Sequence, residues 1–349
     1  MKKTIFVVDD SALNLVMAEE ALEKQYLVIT MSSAEKMFAV LGKITPDLIL
    51  LDIEMPELDG YETIKRLRAN DQYAEIPVIF LTAKSDTRTE AKGIELGAVD
   101  FIVKPFSEQV LLNRIKTHLH IDELIRERTK QLSQRTAQLI RLQNSVVYAL
   151  ADVVENRDKN TGGHIDRTTE YTKILVDAML MHGLYTDEMY GWDFNSIVSS
   201  ARLHDLGKIA IPDSILNKPD SLTSEEYSVI KTHSIAGQRI IEHMIEKAGE
   251  LDFLSNARLF AAYHHERWDG AGYPFGLLET DIPLQGRIMA LVDVYDALIS
   301  ERPYKKAFSG EDAVLIIGNE AGKQFDPRIA DIFCSLKDKL ELAKVRLLS

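Results

Sequence analysis

Short apolar runs and amphipathic stretches alternate through the first 120 or so residues. The runs IFVV (5–8), LVITM (27–31), DLILL (47–51), PVIFL (77–81) and DFIV (100–103) are too short for helices. Their unbroken apolar character predicts strands buried on both faces of a parallel sheet. Between them, stretches such as 12–24 and 60–69 repeat apolar residues at helical spacing. Five β–α units in succession predict an α/β fold, a doubly wound five-stranded parallel sheet.

The pattern then changes. From about 107 to 159 there is neither Pro nor Gly, and Ile125, Leu132, Leu139, Val146 and Val153 recur every seven residues. A companion seam of Ile121, Arg128, Arg135, Leu142 and Ala149 is interrupted by its two arginines. This heptad spacing predicts a helical connector that pairs two chains into a homodimer. A single helix lying on one domain fits the spacing too, but the polar residues 126–138 offer little to bury within one chain. Beyond about 146 the apolar spacing is helical, punctuated by Pro212, Pro219, Pro274, Pro283, Pro303 and Pro327. The predicted organisation is therefore an α/β domain over 1–122, a connector over 123–145 and an all-α domain over 146–349.

Composition narrows the partners. The chain has a formal net charge of −13, and both halves are acidic. No basic face suits DNA or any long nucleic acid, so a small anionic substrate would need a local cationic pocket. The single cysteine, Cys334, excludes an intrachain disulfide and suits a reducing compartment. The N-terminal run TIFVV meets Asp9 and Asp10 at once, too soon for a signal peptide, and no stretch has the length of a membrane span. A cytoplasmic protein is expected.

Asp9 and Asp10 follow the first predicted strand, Asp52 closes the third, Thr82 ends the fourth and Lys104 the fifth. In a doubly wound sheet the carboxyl ends of the strands line the ligand crevice, so these side chains should converge. Clustered carboxylates repel unless a hard cation joins them, and Mg²⁺ suits oxygen ligands. The motifs VVDD (7–10), LLDIEMPELDG (50–60), LTA (81–83) and DFIVKPF (100–106) resemble the receiver domain of two-component response regulators. The resemblance implies that Asp52 is the phospho-acceptor, served by a sensor histidine kinase. It further implies that Asp10, Asp52 and the main-chain oxygen of Glu54 hold Mg²⁺, with Asp9 acting through water. Thr82 and Lys104 would contact the phosphoryl group, and Phe101 would be the switch aromatic.

The second half carries HDLGK (204–208), a His-Asp pair followed by a turn glycine and a lysine. Alone this is weak evidence, but His164, His233, the doublet His264-His265, Asp293 and Asp296 accompany it. Imidazoles with aspartates and no thiols suit a first-row metal, with Fe or Mn favoured and Ni or Zn possible. HHERWDGAGYP (264–274), HDLGKIAIPDSILNKP (204–219) and DVYDALISERPYKK (293–306) closely resemble the HD-GYP family of metal-dependent phosphodiesterases. The resemblance implies cleavage of cyclic di-GMP to pGpG or GMP by two divalent transition metals. Asp205 would bridge them, with His233, His264 and His265 on one metal and His164, His204 and Asp293 on the other. Lys208, Arg302 and Lys305 match the positions that clamp substrate phosphates, and Asp205 and Lys208 also serve the reaction.

Some positions remain open at this stage. Asn160 stands where family members with a third metal carry glutamate, so two metals are expected. Asp158 or Asp296 would orient water or protonate the leaving oxygen, or else cap a helix or support a ligand from behind. The segment 182–195 looks long for the family and is expected to reshape the pocket mouth. A catalytically weak nucleotide receptor and a phosphodiesterase for another cyclic dinucleotide are the rival readings.

Overall fold

The computed structural model describes residues 2–83, 87–158, 163–301 and 306–348. These fall into two compact units, Met1–Ala137 and Gln138–Ser349.

In the first unit, strands β1 (Thr4–Val8), β2 (Leu27–Met31), β3 (Leu48–Asp52), β4 (Val78–Thr82) and β5 (Asp100–Val103) form one sheet in the order β2-β1-β3-β4-β5. All pairings are parallel. Alternation along the strands divides the core into two layers, because successive side chains point to opposite faces. Phe6, Val8, Ile49, Leu51, Val78 and Phe80 meet Met37 and Leu41 of α2 (Ala34–Leu41) and Ile64 and Leu67 of α3 (Gly60–Arg68). On the other face Ile5, Val7, Leu48, Leu50, Ile79 and Leu81 meet Ala18 and Leu22 of α1 (Ala12–Leu22) and Leu111 and Ile115 of α5 (Glu108–Arg157). Helix α4 (Thr87–Glu95) lies between β4 and β5 in the chain. The expectation of strands buried on both faces is met by β1, β3 and β4 but not by β2 and β5. The latter two are edge strands, and Leu27 and Val103 are exposed there.

Helix α5 runs unbroken for 50 residues, as the absence of Pro and Gly predicts. The second unit continues with α6 (His164–Met181), α7 (Phe194–Ala201), a 3-10 turn (Leu206–Ala210), α8 (Asp213–Leu216) and α9 (Ser224–Lys231). Then follow α10 (His233–Ala248), α11 (Asp252–Tyr263), α12 (Leu284–Ile299), α13 (Gly310–Asn319), α14 (Pro327–Ser335) and α15 (Lys337–Leu348). Strand-like pairing among the described residues of this unit is limited to two isolated bridges, Asp269 with Leu278 and Ala321 with Phe325. Helix α12 is the central element: most of its residues are buried, and α6, α7, α13, α14 and α15 contribute to the same core. A second core joins Val147 and Val154 of α5 to Leu203, Leu206, Ile241, Phe253 and Ala257. No described helix is long and apolar enough to cross a membrane.

Segment 182–195 packs against the main core. Leu184 and Met189 are buried in the main core, and the Tyr185 hydroxyl donates to Asp326 Oδ2 at 2.7 Å. Glu188 accepts from the buried guanidinium of Arg287.

Candidate metal centre and phospho-acceptor site

His204 and Asp205 end the turn after α7, and Leu206–Ala210 tightens into the 3-10 turn. Gly207 permits this placement by close approach, not by a left-handed turn as the motif suggests. A Cβ there would lie 1.8 Å from the His233 carbonyl oxygen and 2.4 Å from the Gly237 nitrogen. Helix α10 therefore presses its first turn onto HDLGK, which brings His233 beside Asp205. His264 caps the C-terminus of α11 and His265 follows it, so the doublet sits at a helix end where both rings reach the same cluster. Helix α6 delivers His164 on its first residue, and α12 delivers Asp293 and Asp296.

The side chains converge on the Asp205 carboxylate. Its Oδ1 lies 3.5 Å from His233 Nε2 and 3.8 Å from His264 Nε2, while Oδ2 lies 3.5 Å from His204 Nε2. His164 Nε2 is 3.3 Å from His204 Nε2 and 3.5 Å from Asp293 Oδ1. His233 and His264 bring their Nε2 atoms within 3.1 Å of each other. Two potential metal-holding groups result, His233–His264–His265 and His164–His204–Asp205.

The far side of each ring explains why these nitrogens face one another. Nδ1 of His204 lies 2.9 Å from the Ala201 carbonyl, that of His233 2.7 Å from Ile230, and that of His264 3.0 Å from Phe260. A carbonyl only accepts, so each Nδ1 carries the proton and each Nε2 presents a lone pair. Burial, then the neighbouring charges, pushes His264 well below the usual imidazole range and His265 down to about 4. Burial lowers His204 as well. His164 moves the other way: burial opposes its proton, but the Asp296 hydrogen bond and nearby carboxylates raise it. Against the cost of burial, the Lys208 ammonium and the imidazoles hold Asp205 well below the carboxylate range.

Asp296 does not face the cluster. It accepts from His164 Nδ1 at 2.8 Å and from Arg167 Nε at 2.6 Å, and it is buried. Asp296 is thus placed to orient the His164 ring, as a carboxylate does behind a metal-ligating imidazole. Lys208 sits beside the cluster, 2.8 Å from Asp205 Oδ2 and 2.9 Å from Asp158 Oδ2. Arg302, Lys305 and Asn160 lie outside the described residues.

Other supporting residues escaped the sequence reading. Glu155 accepts from the His164 backbone at 2.7 Å. Arg157 donates to the carbonyls of Ile209 and Ile211 at 2.7 and 3.0 Å, just beyond Lys208. Glu266 accepts from the backbone of Phe275 and Leu277 and so folds the loop behind the doublet. Tyr273 stacks on His265, ring centroids 4.7 Å apart. Arg167, one turn after His164, had a signal in helical spacing; the others are set by tertiary contacts alone.

In the first unit, Asp9, Asp10 and Asp52 gather at the carboxyl ends of β1 and β3. Lys104 Nζ lies 2.7 Å from Asp9 Oδ2 and 2.8 Å from Asp52 Oδ1. Asp9 is the deepest, held by the Ser11 amide and the Asn14 side chain, whereas Asp10 is exposed. Burial raises the Asp52 carboxyl although Lys104 pulls it down. A Cβ on Gly60 would come within 2.4 Å of the Asp52 carbonyl oxygen, so glycine lets α3 start against this strand end. Glu54 is exposed just beyond it, and Thr82 and Phe101 line a small cavity together.

Comparison with known proteins finds a family model for each domain. The HD-domain model matches residues 121–329, and the response regulator receiver domain model matches 5–116. The chain belongs to the HD-domain family, with a receiver domain in front. A Vibrio cholerae protein named probable cyclic di-GMP phosphodiesterase is 41% identical over 95% of this chain and 77% of its own length. The cyclic di-GMP phosphodiesterase response regulator RpfG of Xanthomonas campestris is 35% identical, over 84% of this chain and 76% of its own length. A Thermotoga maritima cyclic di-GMP phosphodiesterase is 31% identical, over 96% and 90%.

Three predictions follow from the geometry of this HD domain. Asp296→Asn should lower metal affinity by about 10–100-fold, read by competition with a chelating dye. Full metal binding with lost activity would instead mark Asp296 as a direct acid or base. Gly207→Ala should cost about 1–3 kcal/mol through overpacking, and denaturant unfolding checks it; wild-type stability would contradict the close approach. In chelator-treated protein, the folded state keeps His204, His264 and His265 neutral where unfolded imidazoles, with pKa about 6.5, take protons. These three outweigh His164, whose shift has the opposite sign, so stability should fall as pH drops from about 6.5 towards 4. A thermal midpoint constant across that window would contradict it.

Proposed function

We propose that this chain is a response regulator whose HD-type output domain hydrolyses cyclic di-GMP to pGpG or GMP, gated by phosphorylation of Asp52. The observation that carries the catalytic part is the meeting of Nε2 lone pairs around one bridging carboxylate. The facing lone pairs of His233 and His264, 3.1 Å apart, repel unless a cation stands between them. His233, His264 and His265 would hold one divalent metal, His164, His204 and Asp293 a second, and Asp205 both. Such a pair supplies Lewis acidity to a phosphoryl oxygen and activates water for in-line attack. The protein supplies the rest. Arg167 and Asp296 fix the His164 ring, Lys208 adds positive charge where a phosphodiester gains negative charge, and Tyr273 walls the cluster beside His265. The three relatives' names support cyclic di-GMP as the substrate. Incubation of the purified, metal-loaded protein with cyclic di-GMP, with products identified by mass spectrometry, should yield pGpG, GMP or both. Intact cyclic di-GMP after prolonged incubation would refute the reading.

Gating has its own support. In the receiver domain, Asp52 with Lys104 and acidic neighbours suits phosphoryl transfer with Mg²⁺. Helix α5 begins shortly after Lys104 and ends with Glu155 on the backbone of His164 and Arg157 on the carbonyls after Lys208, with Asp158 just beyond it on the Lys208 ammonium. A change in the register of this helix would therefore reach metal-ligand and phosphate-binding positions together. Its heptad residues Ile125, Leu132, Leu139 and Val153 are each about 60% exposed, an apolar seam suited to a second copy. Asp52→Ala should abolish the change in phosphodiesterase rate caused by beryllofluoride while sparing basal activity. Leu132→Glu with Leu139→Glu should give a monomer, by light scattering, that binds metal but no longer responds. A response that persists in either variant would overturn the gating route.

A further inference from the structure

A cyclic dinucleotide has two phosphodiesters, and only one can lie at the metal cluster during cleavage. The other brings a second negative charge into an acidic protein and needs a cation of its own. Among the described residues, the cleft beside His264 and His265 is lined by Tyr227, Lys231, Arg267 and Tyr273. Arg267 is committed to Asp269 at 2.7 Å, and Lys208 to two carboxylates. Lys231 differs. Its ammonium lies 4.8 Å from the Tyr227 ring centroid and 5.1 Å from that of Tyr273, with no carboxylate partner among the described residues. The two ring faces hold the side chain in place without neutralising it. Lys231 also lines an adjoining groove with Thr232, Arg239 and Pro274, so positive charge continues away from the metal cluster.

From this arrangement we infer that Lys231 is a substrate-positioning residue that receives the second, uncleaved phosphodiester of the cyclic dinucleotide. The assignment rests on the phosphodiesterase reading and specifies how that site selects a dinucleotide ring over a simple diester. Tyr227 and Tyr273 orient the ammonium, and Arg239 extends the same field along the groove. Because this contact is made to a phosphate that does not react, it contributes to binding in the ground and transition states alike. Its loss acts on KM rather than kcat.

The test compares wild type, Lys231→Met and Lys231→Arg on cyclic di-GMP and on bis(p-nitrophenyl) phosphate, which carries one phosphodiester. Loss of a charge-assisted contact should raise KM for cyclic di-GMP about tenfold in Lys231→Met with kcat nearly unchanged. Lys231→Arg should restore most of it. Bis(p-nitrophenyl) phosphate turnover and bound metal should match wild type in both variants. An unchanged KM for cyclic di-GMP in Lys231→Met overturns the assignment alone. Parallel losses on both substrates, or loss of metal, would overturn it in favour of a structural role. A wild type that cleaves bis(p-nitrophenyl) phosphate but not cyclic di-GMP would overturn the substrate reading and this assignment with it.

Discussion

The second unit is organised around imidazole nitrogens brought face to face at the Asp205 carboxylate. Backbone carbonyls hold the Nδ1 protons of His204, His233 and His264, and Asp296 faces that of His164, so the lone pairs turn inward on Asp205. Holding such a cluster without metal is costly because buried lone pairs face one another instead of a donor. The surrounding elements bear that cost. Helix α12 is almost wholly buried and anchors Asp293 and Asp296, while Gly207 lets α10 approach closely enough to add His233.

Much of this was legible in the sequence because the chemistry sits in short contiguous motifs. HDLGK pairs His204 with Asp205, and the HHERWDGAGYP run pairs His264 with His265. The five apolar runs mark the sheet because parallel strands need no polar alternation. The legible part ends where a contact is made across the fold. Glu155, Arg157 and Glu266 act on backbone groups 9 to 54 residues away, and nothing in local spacing reveals such partners. Gly207 looked like turn chemistry, yet its reason is the carbonyl of His233. Segment 182–195 showed its length in the sequence but not its partners Arg287 and Asp326. The edge strands were read as buried because composition reports apolar character, not position in the sheet.

Helix α5 runs from the receiver domain into the HD domain. Its uninterrupted 50 residues follow directly from composition, and so does the exposed apolar seam. Its last turn is another matter, since there the helix stops being a spacer and becomes part of the site. Val147 and Val154 pack against Leu203 and Leu206, which flank His204 and Asp205. Glu155 and Arg157 then fix the backbone on both sides of the cluster. Packing and hydrogen bonding thus make the end of the connector inseparable from the geometry of the imidazoles.

The central claim is that the convergent imidazoles and Asp205 exist to hold a pair of metal ions. Anaerobic purification followed by elemental analysis tests it most directly. The account predicts about two first-row transition metal ions per chain in wild type, with most of that metal lost in Asp205→Ala at unchanged helical content. Background metal in folded wild-type protein, even after anaerobic reconstitution with Fe or Mn, would contradict it.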